Sequence, residues 1–128
     1  GYRPVNVSVV APTLSPQFPL LCERTNAGKY AVEPFITPAQ YQQKWNQHAK
    51  TGLHLSYLSA CAFPGGARFT AIFRKKAPGS GGTVGRHHLS SKSYQAEYEK
   101  WLGEGLLTRT IAGYQRNATH QFGAAWRR

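Results

Sequence analysis

Histidine is the side chain best matched to proton transfer near neutral pH, and the chain has five: His48, His54, His87, His88 and His120. Two of them with a cation would make a ribonuclease-like centre. In that reading His54 and His120 exchange protons as general acid and base, and Arg68 holds the developing phosphate charge. Adjacent His87 and His88 cannot both face one ligand from a regular strand, and no Cys-x-x-Cys or His-Glu-x-x-His spacing supports a metal site. No metal and no cofactor are expected. The acidic residues are only Glu23, Glu33, Glu97, Glu99 and Glu104, with no Asp, so chemistry that needs paired carboxylates is poorly supplied.

Sixteen Lys and Arg against five acids leave a formal charge of +11 on 128 residues. Such a charge draws a protein toward phosphate, sulfate or acidic surfaces without saying anything about fold. Arg24, Arg74, Lys75, Lys76, Arg127 and Arg128 fall at or beside repeated strand ends, so they are expected on one rim, where Arg86 from the loop joins them in a cationic edge. Such an edge suits a polyanionic glycan, an acidic protein surface or nucleic acid. Cys22 and Cys61 permit either two free thiols, filling positions where the other copies carry apolar residues, or one disulfide, which would tie two neighbouring units together. With the sequons at Asn6 and Asn117, this favours a secreted setting. No apolar run is long enough for a membrane helix, and no signal-peptide pattern opens the chain.

The elements that must position these residues repeat along the chain. Shifted by 53 positions, Ile36 to Lys75 aligns without a gap on Leu89 to Arg128, pairing Thr37 with Ser90, Tyr41 with Tyr94, Trp45 with Tyr98, Phe69 with Phe122 and Phe73 with Trp126. Shifted by 51, the first residues give a partial third copy, with Gly1 on Gly52, Val10 on Cys61, Phe18 on Phe69 and Cys22 on Phe73. His54 and Arg68 do not recur among the copies, so a catalytic centre would be a unique graft on a repeated scaffold.

Each full unit opens on a helix cap. Thr37 precedes Pro38 and Gln40 in a capping-box pattern, aromatic residues then recur at helical spacing, and the run stops near Gly52; Ser90 opens the second copy. Hairpins follow. "LHLSYLSAC" and "RFTAIFR" flank a Pro-Gly-Gly turn, with "LLTRTIAGY" and "QFGAAWR" as the later pair and "YRPVNVSVV" and "FPLLCER" as the earlier one. The expected fold is α+β: six strands in one curled sheet or partial barrel, with two helices packed against it. "KKAPGSGGTVGRHH" reads as a mobile surface loop. Residues 1–128 form one domain, with a partial unit over 1–24 and full units over 36–75 and 89–128.

Tyr41-Gln42, Tyr94-Gln95, Gly1-Tyr2-Arg3, Gly113-Tyr114 and Trp126 carry a resemblance to the tandem repeats of many bacterial proteins. The same repeats occur in the N-terminal region of fungal polyglycine hydrolases, secreted enzymes whose separate C-terminal domain is similar to class C β-lactamases. Leu53-His54 and Leu106-Leu107 depart from the family's Gly-Tyr-Arg, and Cys22 and Phe73 replace its terminal Trp. The resemblance implies a fold and a secreted context. The hydrolase activity does not carry over, because no Ser here is followed three places later by Lys. The expectation is a secreted, monomeric, non-catalytic repeat module that binds a polyanionic or glycan partner, or the accessory domain of a hydrolase. Phosphodiester cleavage by paired histidines and nucleic-acid binding are its rivals.

Overall fold

The computed structural model describes residues 1–8, 15–26 and 28–128. The end of the first expected strand, including the Val10 that aligns with Cys61, and the start of the turn after it lie outside these residues. Among the described residues, eight strands and two helices run in the order β1 (Tyr2–Val7), β2 (Leu20–Arg24), β3 (Tyr30–Ile36), α1 (Pro38–Lys50), β4 (Leu53–Phe63), β5 (Gly66–Lys75), β6 (Thr83–Leu89), α2 (Ser91–Gly103), β7 (Leu107–Arg116) and β8 (Thr119–Arg127).

Both helices begin where the sequence places them. The Thr37 hydroxyl accepts from the backbone of Gln40 at 3.2 Å, and the Gln40 side chain accepts from the Thr37 backbone at 2.9 Å, which closes the capping box. Ser90 does the same more simply, accepting from Ser93 at 3.1 Å.

The single curled sheet does not form. The described strands make three separate open sheets, ordered β1-β2, β3-β5-β4 and β6-β8-β7, every pairing antiparallel. Two strands beyond the expected six account for the difference. β3 and β6 each pair with the outer edge of the hairpin that follows their helix, so each full unit closes its own three-stranded sheet. The glycine-rich segment expected as a mobile loop thus ends in a strand, β6.

Two kinds of irregularity recur at matching positions. The pairing of β1, β4 and β7 slips at Val5, Ser56 and Arg109, one bulge per copy. β3 and β6 slip beside Phe35 and His88, which both hold positive φ (53° and 59°). The backbone amide of each finds a different acceptor: Thr70 Oγ1 for Phe35 at 3.1 Å, Tyr114 Oη for His88 at 2.8 Å.

The sheets join through their faces. Strand alternation and register put Phe69, Ala71 and Phe73 of β5, with Leu55 and Leu58 of β4, on the face covered by α1, whose Tyr41 and Trp45 rings lie on Phe69 and Phe73. This layer packs on the opposite face of the next sheet, where Ala112, Tyr114, Gly123 and Ala125 stand. The hydrophobic core cluster is therefore shared between the two full units. Small residues permit the approach. A Cβ on Gly85 would stand 2.6 Å from the Trp45 ring, and one on Gly123 would stand 2.9 Å from Leu58 Cδ2. Thr110 locks the contact by accepting from the Leu58 amide at 2.9 Å. β1 packs in the same sense on β4 and β5, burying Pro4, Val7 and Ile72.

Candidate functional site

The strands that leave the stack on one side end in cations. Arg74 and Lys75 close β5, Arg127 closes β8, and Lys76 and Arg128 follow directly. With Arg3 from β1 and His54 from the start of β4 they surround one cleft of about 560 Å³, completed by Gly28, Ala77, Pro78 and Ser80. Six lining residues are Lys or Arg and none is acidic. Glu23 lies beside the cleft and pairs with Arg3 at 2.5 Å.

His54 is the buried floor of this site. Its Nε2 accepts from the Arg127 guanidinium, which leaves the proton on Nδ1, a buried atom with no partner. Burial first, then the charges of Arg127, Arg74 and Lys76, lower its pKa to about 4, so the ring is neutral at physiological pH. Burial and neighbouring arginines also lower the Arg74 and Arg127 pKa values, with Arg3 acting on the former and Arg109 on the latter. Like charges are thus crowded together with little internal compensation. Arginine forks in such a setting match the oxygen pairs of sulfate, phosphate and carboxylate.

The same geometry argues against proton transfer here. The one basic lone pair of His54 is already engaged by Arg127. His120 sits at the other end of β8, seven residues from Arg127 and so about 23 Å away along an extended strand. Arg68 pairs across from Cys61 near the hairpin tip, its guanidinium over the Phe35 and Phe63 rings. The trio His54, His120 and Arg68 is not brought together.

Of the expected cationic edge, the cleft gathers Arg74, Lys75, Lys76, Arg127 and Arg128. Arg24 is exposed opposite Tyr2 and does not line it. Arg86 points to the other side of its sheet, where it meets Glu97 at 3.5 Å and the Trp101 ring. Arg3 and His54 are additions: each opens its copy's first hairpin strand, a shared position that repeat alignment reveals but charge counting does not. His87 and His88 belong to the shared core, against Tyr41 and Phe69, with their Nδ1 atoms 2.8 Å apart. Among the described residues, no three His, Cys, Asp or Glu are grouped as metal ligands.

The expected disulfide is also corrected: Cys22 and Cys61 are both free. Cys22 occupies the Phe73 position of its unit, whereas Cys61 pairs with Arg68, five residues back along β5. Even in perfectly stacked units that offset is about 16 Å, far beyond the ~5.5 Å between α-carbons that a disulfide spans.

A family described as "Polyglycine hydrolase-like, structural repeat" matches residues 36–76 and 81–128, one range for each full unit. The chain belongs to this family. The second matched range takes in β6 and so an entire strand-helix-hairpin unit. What the family name describes is a structural repeat, not a catalytic domain. No curated protein matches the sequence. Among the described residues, no helix of this repeat protein is long and apolar enough to cross a membrane.

Proposed function

We propose that the chain is a secreted, non-catalytic repeat module that holds a polyanionic glycan by its sulfate or carboxylate groups in the cleft between strand ends. One observation carries the reading: six cations and no carboxylate line a single concavity. Nucleic acid is a poorer fit, since no Phe, Tyr or Trp ring lines the cleft to stack a base and its one imidazole, His54, is buried and engaged by Arg127. The family description supports a second, compatible reading, in which the module is an accessory domain that brings a hydrolase to such a surface.

The test compares two triple variants of equal charge for binding to heparin across a salt series. Lys75, Lys76 and Arg128 changed to Ala remove cleft cations, while Lys50, Lys92 and Lys100 changed to Ala remove cations that do not line it. The cleft variant is expected to bind about tenfold more weakly, with a shallower salt dependence. Equal loss in both variants would reduce the reading to bulk charge, and stronger binding to single-stranded DNA than to heparin would replace the glycan.

A further inference from the structure

The stack has two ends, and the same repeat positions are buried inside it and exposed at its limits. Val7, Leu58 and Ile111 are equivalent residues of the three copies. Val7 is 1% exposed beneath the first full unit, Leu58 is 2% exposed beneath the second, and Ile111 is 47% exposed. The receiving face shows the reverse pattern. Leu21, Ile72 and Ala125 are equivalent, and Leu21 is 64% exposed while the other two are 0%.

Other equivalent residues follow the same rule. Tyr41 and Phe69 are buried where Tyr94 and Phe122 are only half-buried, and α2 has no buried residue although α1 has two. The second full unit therefore presents the surface by which the first grips its neighbour. The partial unit presents the surface that such a neighbour would receive. Asn6 holds the position of Thr110, so its side chain is placed to meet the Ile111 backbone as Thr110 meets Leu58.

We propose that a second copy of this chain docks head to tail, the Ile111 face of one seating on the Leu21 face of the next and continuing the interface already present between the units. The contact is heterologous, so it leaves one free face of each kind and propagates into an open assembly or a closed ring. This departs from the monomer expected of the sequence. It does not depend on the cationic cleft.

Sedimentation velocity on the full chain tests it. The mean mass should rise with protein concentration, and more so at high salt, where repulsion between molecules of charge +11 is screened. Heparin binding weakens under the same change, so the two proposals fail separately. Ile111→Arg and Leu21→Arg should each sediment as monomers while keeping the parent circular dichroism; should either misfold, the threonine variants at the same sites serve. An equimolar mixture of the two must form heterodimers and stop there, because each supplies the face the other lacks. A parent that stays monomeric at every concentration, a single variant that still associates, or a mixture that stays monomeric would each overturn the proposal, the last by revealing a symmetric dimer.

Discussion

Replacing Gly85 by alanine tests how the two full units are held together. The new methyl carbon would lie 2.6, 2.7 and 3.2 Å from three ring carbons of Trp45, where unstrained carbon contacts sit at about 3.5–4.0 Å, so the indole must retreat by about 1 Å. The ring is itself held at the Phe73 edge and beside Tyr41. Overpacking of this kind costs about 1–3 kcal/mol, and the lower backbone entropy of alanine in a strand returns about 0.5–1 kcal/mol. The net loss is therefore about 0–2.5 kcal/mol, centred on about 1 kcal/mol, which lowers the urea midpoint by about 0.5 M at a typical denaturant slope. Far-UV circular dichroism follows the transition without depending on Trp45 fluorescence. The decisive comparison is a double-mutant cycle with Trp45→Leu, which removes the obstructing ring. In that background Gly85→Ala should be neutral or slightly stabilising. An equal cost with and without the indole would refute the claim that Gly85 is small to admit Trp45.

Thr110→Val keeps the side-chain shape but orphans the buried Leu58 amide, so a loss of about 1–3 kcal/mol is expected in the same denaturation assay. The pH dependence of stability follows from His54. Its folded pKa of about 4 lies below the ordinary 6.5, so the unfolded chain takes up a proton first, and stability falls as pH drops from 6.5 toward 4. His87 and His88, lowered chiefly by burial, act in the same direction. His54→Gln should flatten part of this slope, and an unchanged slope would remove His54 from the account. A thiol-specific reagent should find two free cysteines without reductant, Cys22 reacting first because it is exposed while burial raises the Cys61 thiol pKa.

The elements with local signals were legible: capped helices at Thr37 and Ser90, and hairpins marked by alternation and turn residues. β3 and β6 were not. Glu33-Pro34 interrupts one and Gly85 with His87-His88 the other, so neither shows a clean strand period. Their pairing is supplied by the outer edges of β5 and β8, a tertiary fact. Pro34 is tolerated because it falls where the ladder already slips. The expectation of one curled sheet failed with these two strands, since hairpins without them must pair with one another. For the cleft, the equivalence of Arg74 and Arg127 was visible in the repeat, but Arg86 could be placed only once β6 was known to exist and to turn it toward α2. His54 looked like a candidate base by residue type. Its engaged lone pair comes from Arg127, a residue 73 positions away.

The glycines that admit Trp45 and Leu58 stand where the first full unit has Val32 and Thr70. The two units are therefore not interchangeable bricks. Exchanging their order in the gene would put branched side chains where Gly85 and Gly123 now receive a large neighbour, and would replace Trp45 by the shorter reach of Tyr98. The repeat gives each layer its shape, and the residues at a few contact positions give each layer an address. A permuted gene should encode good units and a poor stack.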